Sequence, residues 1–166
     1  SSGDACVNWV FEDARYNWTG AASDDFADAA NWVVKGEVPN VAPGADDYIV
    51  IDASGAAHNP IIKAELSVAS FTVVSGDFRV NAALEVSGSA TVMDGGKLIA
   101  DKPVVIGGSF SMLSGATLTH TALPSSDDKD GESHRIDLTV GGDMTVQKGA
   151  SVDVRSKGYA AYKGPG

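Results

Sequence analysis

The chain has 166 residues, of which 43% are hydrophobic and 20% charged, and its formal net charge is −10. This length and composition suit one folded domain and exclude a disordered acidic tail, which carries few apolar residues. The negative charge repels phosphate backbones and anionic lipid, so we expect neither a nucleic-acid nor a membrane partner. The single cysteine, Cys6, has no partner for an internal disulfide, and no segment has the run of about 18 apolar residues that a membrane span needs.

Residues 1–47 lack the periodicity of the rest of the chain and contain all three tryptophans. We predict that they form an irregular, aromatic-rich N-terminal cap, because an open end of stacked strands exposes core and unpaired edges. The sequence DDFADAANWVV predicts a short helical turn with Asp24 or Asp25 as its N-cap. Phe26 and Trp32 in this sequence should be buried. The turn cluster PNVAPGADD then leads into a first strand, YIVID.

Residues 48–156 contain an internal repeat. Its segments begin at Leu66, Leu84, Val104 and Leu138, in steps of 18, 20 and 34 residues, and the last step includes an insertion at 121–134. The period is therefore about 20 residues. Apolar residues alternate over two or three positions, break at Gly, Ser or Asp, and alternate again, which predicts three short strands per repeat. Written beneath one another, the repeats give six columns, five of them wholly apolar: Leu66, Leu84, Val104, Leu138; Val68, Val86, Ile106, Val140; Phe71, Ala90, Phe110, Met144; Val73, Val92, Met112, Val146; Phe78, Leu98, Leu118, Val152; and Val80, Ala100, His120, Val154.

Apolar residues that recur about every 20 positions are typical of strands that stack about 4.8 Å apart and bury like on like. We therefore predict an all-β protein, with a right-handed parallel β-helix of about five turns and three short strands per turn over 48–156. The alternative is an antiparallel sandwich, which is also built of short strands and glycine turns. Two glycine columns should mark corners that need positive φ: Gly88, Gly108 and Gly142, and Gly76, Gly95, Gly115 and Gly149.

The insertion at 121–134 is rich in acidic residues. Oxygen ligands at this density would suit Ca²⁺ at 127–132, although the spacing of a complete calcium loop is absent and a solvated acidic loop is the alternative. His58, His120 and His134 are too scattered for a metal site, and we predict that His120 is a hydrogen-bonded strand-end residue. We expect no cofactor other than this calcium ion.

No catalytic constellation stands out in the sequence. β-Helical enzymes that cleave polyuronates need carboxylates for calcium and a basic residue on one strand face. Among the outward positions that we identify, only Glu85 and Lys97 titrate. A hydrolase needs two facing carboxylates, and a serine nucleophile needs a partnered histidine. We therefore predict no enzymatic activity and no catalytic residue.

A sugar-binding surface needs an exposed aromatic plane flanked by polar groups that bond hydroxyls. Tyr159 and Tyr162 lie in the Gly- and Lys-rich C-terminal loop, 157–166, which has no apolar periodicity. We predict that these two tyrosines stack on the ligand. Tyr16 and Trp18 are the next candidates, although burial in the cap is the alternative for both.

We place the glycan along the side of the coil, between the loop at 121–134 and the segment 155–163. Outward strand positions there are mostly small hydroxyl residues, which hydrogen-bond but offer no stacking platform. Arg155, Asp128 and Asp130 are the residues that we expect to bond the sugar hydroxyls.

Three motifs of the cap, W-T-G, F-x-D-x-x-N-W and P-G-A-D-D-x-x-x-I, resemble the opening segment of many secreted bacterial β-helix and adhesin-type proteins. The tail KGYAAYKGPG is similar to a loop that follows a late turn in the same proteins. Among short domains, the chain resembles the β-helical carbohydrate-binding modules of family 89, which stand beside secreted xylan-degrading catalytic domains. The motif residues are Trp18, Thr19, Gly20, Phe26, Asp28, Asn31, Trp32, Pro43, Gly44, Ala45, Asp46, Asp47 and Ile51.

This resemblance implies a secreted, non-catalytic module that binds xylan-type plant cell-wall polysaccharides and is covalently linked to a glycoside hydrolase. No binding residue is carried over from this resemblance, and the site residues named above are predicted from the sequence itself. We expect the module to be a monomer. Two alternatives stay open: a structural or adhesin segment of a larger surface β-helix, and a truncated polysaccharide lyase.

Overall fold

The structure, a computed structural model, describes residues 15–123 and 135–158. Within these ranges the chain is built of β-strands, apart from one 3-10 helix at Ala29–Asn31. None of its helical segments is long and apolar enough to cross a bilayer. The strands are β1 (Arg15–Trp18), β2 (Trp32–Val33), β3 (Tyr48–Asp52), β4 (Ile61–Ile62), β5 (Leu66–Val68), β6 (Ser70–Val80), β7 (Leu84–Val86), β8 (Ala90–Val92), β9 (Gly96–Ala100), β10 (Val104–Ile106), β11 (Phe110–Met112), β12 (Thr117–Thr119), β13 (Leu138–Val140), β14 (Met144–Val146) and β15 (Ser151–Asp153).

The repeat forms three ladders of parallel strands. The first ladder contains β5, β7, β10 and β13. The second contains β3, the first half of β6, β8, β11 and β14. The third contains β4, the second half of β6, β9, β12 and β15. The pairing partners are the residues that the first five sequence columns predict, so that alignment is confirmed. Every described pairing within β5–β15 is parallel, and the antiparallel sandwich is therefore wrong.

The inward columns of all three ladders pack into one hydrophobic cluster. Alternation along each strand places every second side chain in it, as the short apolar–polar–apolar strands require. The final strands of the ladders are less covered than the earlier ones. Val92 is 0% exposed, whereas Val146, in the same column, is 47% exposed. Met144, Val152 and Val154 are exposed to a similar extent.

The two glycine columns serve different purposes. Positive φ occurs in one of them, at 78° for Gly76, 80° for Gly95, 85° for Gly115 and 94° for Gly149. The prediction of positive φ for the other column is wrong, because those glycines are required by close backbone stacking. A Cβ on Gly108 would lie 2.8 Å from the carbonyl carbon of Gly88, and the Gly108 amide donates to that carbonyl at 2.8 Å.

The cap packs around Trp32, which is fully buried. The rings of Tyr16, Trp18 and Phe26 lie edge-on to it, with centroid distances of 6.1, 5.0 and 4.7 Å. The indole N–H of Trp18 donates to the carbonyl of His58, and that of Trp32 donates to the carbonyl of Phe26, both at 2.9 Å. The predicted burial of Phe26 and Trp32 is confirmed.

The helical turn of the cap begins later than the sequence predicts. It is the 3-10 helix Ala29–Asn31, and its N-cap is Asp28. Asp25 instead begins a separate turn before this helix: its Oδ1 accepts from the amide of Ala27 at 3.0 Å, and its carbonyl accepts from the amide of Asp28 at 3.2 Å. The carbonyl of Asp24 accepts from the amide of Ile61 at 2.8 Å, and Asp25 forms a parallel bridge with the same residue.

Residues of the cap motifs hold the cap together. Asn31 is buried, and its Oδ1 accepts from the amides of Ala22 and Ser23, both at 2.9 Å. The carboxylate of Asp47 accepts from the amide of Gly44 at 2.8 Å. These contacts give the motifs a structural explanation, one that needs no ligand.

Candidate functional site

The outer face of the third ladder carries the polar side chains of interest. Phe78, Leu98 and Leu118 point inward, so the residues on either side of each point outward. The strand register aligns them in two outward columns: Asp77, Lys97, Thr117 and Ser151, and Ile61, Arg79, Ile99, Thr119 and Asp153.

A cavity of about 320 Å³ opens on this face. A second cavity of about 300 Å³, lined by residues that include His58 and Asn59, adjoins it at Arg79. Together they cover five strands, from β4 to β15, which is about 19 Å at about 4.8 Å per strand. We call the joined cavities the polar groove. The first cavity contributes the polar side chains of Arg79, Lys97, Thr117, Thr119, Thr121, Asp153 and Lys157, and the second adds Asp24, Asn59 and Asp77.

The floor of the polar groove is apolar at its centre. Ile99 belongs to an outward column but is only 5% exposed, and it lies outside the core cluster. Thr119 beside it is also buried, and its hydroxyl donates to the carbonyl of Asp153. The centre of the groove floor is therefore formed by two side chains that are almost wholly buried.

A buried polar cluster fixes one end of the groove. Asp101 is buried, and its Oδ1 and Oδ2 accept from the amide and hydroxyl of Thr121 at 2.6 and 2.7 Å. The Thr121 hydroxyl also accepts from Nη1 of Arg79 at 2.9 Å. His120, buried as predicted, has its Nδ1 2.7 Å from the Thr121 carbonyl oxygen. The guanidinium of Arg79 is thus held by Thr121, which is held in turn by Asp101.

Two lysines and a second arginine add positive charge around the groove. Nζ of Lys97 lies 2.9 Å from the carboxylate of Asp77, and Nζ of Lys157 donates to the hydroxyl of Thr119. Arg155 lies next to Asp153, at the far end of the outward column. The groove therefore combines three cationic side chains, Arg79, Lys97 and Lys157, with the carboxylates of Asp24, Asp77 and Asp153.

The Asp153 carboxylate beside the groove is strongly held in its ionised form. Nε and Nη2 of Arg155 donate to its two oxygens at 2.9 and 2.8 Å. These hydrogen bonds, together with one from the Arg155 amide, hold the pKa of Asp153 well below its usual range. Asp153 therefore stays ionised to a lower pH than an ordinary aspartate.

The predicted site residues fall into three groups. Arg155 is described and exposed, beside the groove. Tyr16 and Trp18 are only 8% and 4% exposed, because their rings pack on Trp32, and they leave no open ring face for a sugar. Four residues and the proposed calcium loop at 127–132 lie outside the described residues: Tyr159, Tyr162, Asp128 and Asp130.

Sequence reasoning missed most of the groove. It identified Lys97 and Thr117 as outward positions, but it did not examine the second outward column, which contains Arg79 and Thr119. The signal was present, since these residues stand between two inward columns in every repeat. The repeat of about 20 residues also places Asp101 and Thr121 at equivalent positions, although it does not show that their side chains form hydrogen bonds.

Within residues 15–123 and 135–158, no group of three or more His, Cys, Asp or Glu side chains is arranged to hold a metal ion. Comparison with protein-family models, with curated proteins and with solved structures gave no match.

Proposed function

We propose that this protein is a non-catalytic polysaccharide-binding module whose ligand lies in the polar groove. The observation that carries the proposal is the shape and lining of this groove, an open channel about 19 Å long on the face of a continuous ladder. An extended, open channel suits a stretch of linear glycan, whereas small molecules are usually bound in enclosed pockets.

We further propose that the three ladders close into a right-handed β-helix of about five turns, with residues 1–47 as its cap. Two observations support closure. Buried residues of all three ladders belong to one hydrophobic cluster, and β6 passes without a break from the second ladder to the third. A closed coil of this kind would present the groove on a rigid surface.

The proposed ligand is a xylan-type plant polysaccharide, as the resemblance of the cap motifs implies. The module would be extracellular and monomeric, and would target an attached glycoside hydrolase to its substrate. Each hydrogen bond to a sugar hydroxyl would contribute about 0.5 to 1.5 kcal/mol. The affinity should therefore be micromolar or weaker. Tyr159 and Tyr162 stay the predicted stacking residues.

A binding role, without catalysis, is supported by the partners of the carboxylates near the groove. Asp77 contacts Lys97, and Asp153 contacts Arg155. Inverting and retaining glycosidases both need one carboxyl group that carries a proton at working pH and a second that is ionised. The lowered pKa of Asp153 does not suit it to the role of general acid.

The experiment is affinity gel electrophoresis of the protein in xylan. Thr117→Trp places a large ring in the groove and should abolish retardation. The matched control is Thr91→Trp, because Thr91 occupies an equivalent outward position on the second ladder. Retardation that survives Thr117→Trp, or that Thr91→Trp removes, would contradict binding in the polar groove.

The exposed final strands favour a second candidate, a structural segment of a longer β-solenoid. Met144 and Val146 in β14 and Val152 in β15 are about half exposed, and a further coil of parallel strands would bury them. This candidate predicts a folded protein that no xylan or other plant glycan retards in the same gels.

A further inference from the structure

Arg79 lines the polar groove and uses only one nitrogen of its guanidinium in a hydrogen bond to a described residue. Its Nη1 donates to the Thr121 hydroxyl at 2.9 Å and lies 3.8 Å from Oδ2 of Asp101. Nε and Nη2 have no hydrogen-bond partner among the described residues. The side chain is 35% exposed. Nη1 of the guanidinium is thus anchored, while Nε and Nη2 make no hydrogen bond to a described residue.

The free Nε–Nη2 edge has the geometry of a carboxylate receptor. Two parallel N–H groups bind the two oxygens of one carboxylate in a bidentate pair, which a hydroxyl cannot reproduce. Because Thr121 already fixes the orientation of Arg79, little side-chain freedom is lost when a ligand binds.

The charges around Arg79 are compatible with an anionic ligand. Lys97 and Lys157 line the same cavity. The acidic groups of the groove already have partners within the protein: Asp24 contacts Lys63, Asp77 contacts Lys97, Asp153 contacts Arg155, and the nearby Asp101 accepts two hydrogen bonds from Thr121. These carboxylates are therefore offset by their partners, and a uronate carboxylate could pair with Arg79 without meeting an unpaired acidic group among them.

We propose that the polar groove selects glycans that carry uronic acid groups, and that Arg79 is the specificity-determining residue that binds their carboxylate. The inference rests on the proposed function and narrows its ligand to acidic polysaccharides, such as xylan substituted with glucuronic acid. Sulfate esters also bind guanidinium groups, so the experiment includes them as a separate ligand.

The test compares glucuronic-acid-substituted xylan with the same polymer after reduction of its carboxyl groups, by affinity electrophoresis. Loss of the bidentate pair should weaken binding to the reduced polymer about tenfold. Arg79→Lys keeps the positive charge but lacks the two parallel N–H donors of the guanidinium. It should weaken binding to the acidic polymer about tenfold and leave binding to the reduced polymer within about twofold. Arg15→Lys, in β1, is the matched control and should change neither.

Equal binding of the unaltered protein to both polymers would overturn the carboxylate assignment and leave the proposed function standing. Binding to neither polymer would overturn both. Tighter binding to a sulfated xylan than to the uronate polymer would overturn the choice of carboxylate. The thermal midpoint shows whether Arg79→Lys folds. If it does not fold, binding of the unaltered protein to the two polymers still shows whether the groove prefers a uronate carboxylate.

Discussion

Asp101 and Thr121, twenty positions apart, are joined by two short hydrogen bonds at the corner that follows the third ladder. Thr121 is also the first residue of the inserted segment, and its hydroxyl accepts from Arg79. A single buried carboxylate therefore fixes both the start of the insertion and the orientation of the guanidinium in the groove.

Thr121→Val tests this coupling. The substitution keeps the shape of the side chain but leaves Oδ2 of Asp101 without its hydroxyl donor, which should cost about 1 to 3 kcal/mol of unfolding free energy. Urea denaturation measures this loss. Thr91→Val is the control, because the Thr91 hydroxyl has no hydrogen-bond partner among the described residues. Equal stability of the two variants would contradict the coupling.

The two glycine columns should respond differently to substitution. Gly108→Ala forces a Cβ against the backbone of Gly88 and should cost more than about 2 kcal/mol. Gly95→Ala has open space around the new Cβ but positive φ, and should cost about 1 to 2 kcal/mol. Asparagine tolerates positive φ better than alanine, so Asn should recover stability at 95 and not at 108.

Gly55→Ala is the control for this series, because Gly55 lies outside the left-handed region and has nothing near the added Cβ. Its stability should stay within about 0.5 kcal/mol of the unaltered protein. Thermal or urea unfolding of the set gives the comparison. A recovery by Asn at 108 would mean that φ, and not stacking, requires that glycine.

Val92 and Val146 occupy the same column but differ in burial, so their substitution tests whether the final strands are exposed in solution. Val92→Ala removes two fully buried methyl groups and should cost about 2 kcal/mol, whereas Val146→Ala, at a half-exposed position, should cost less than about 1 kcal/mol. Equal costs would show that the final strands are covered in solution, and would favour the proposal of a longer solenoid or an association between copies.

The ionisation of Asp153 should depend on Arg155. Since its pKa in the folded protein lies below its value in the unfolded chain, the pair stabilises the fold above about pH 4 and loses that contribution as the pH falls further. Arg155→Gln should raise the pKa of Asp153 toward its ordinary value, as followed by carboxyl carbon NMR. Asp24, whose pKa is lowered by Lys63, is the internal control and should not move. An unchanged pKa of Asp153 would contradict the pairing.

The strands and their register were predictable from the sequence because the repeat leaves a periodic trace. Burial of like on like places Leu84 beside Val104 and Phe71 beside Ala90, and the spacing of about 20 residues then determines parallel pairing. The conformation of Gly108 was not predictable, because a glycine required by a close neighbour and one required by positive φ look the same in a sequence.

The candidate site was harder to predict than the fold. Outward residues are not constrained to be alike, so the column that contains Arg79 and Thr119 differs in residue type from repeat to repeat. The repeat shows that these residues share a column, but not that a cavity opens there. The prediction for the cap failed for a different reason. Tyr16 and Trp18 are aromatic residues of the type that stacks on sugars, but their rings pack against Trp32. Tertiary packing, and not residue type, decides which aromatic rings are exposed.

The central claim is that a polysaccharide lies in the polar groove, and amide NMR shifts recorded during titration with glucuronic-acid-substituted xylo-oligosaccharides test it most directly. The account predicts that the amides of Arg79, Thr117, Thr119 and Thr121 move in proportion to bound ligand, while the outward residues of the second ladder stay fixed: Thr91, Ser111 and Thr145. Shifts confined to the second ladder, or none at millimolar oligosaccharide, would contradict it.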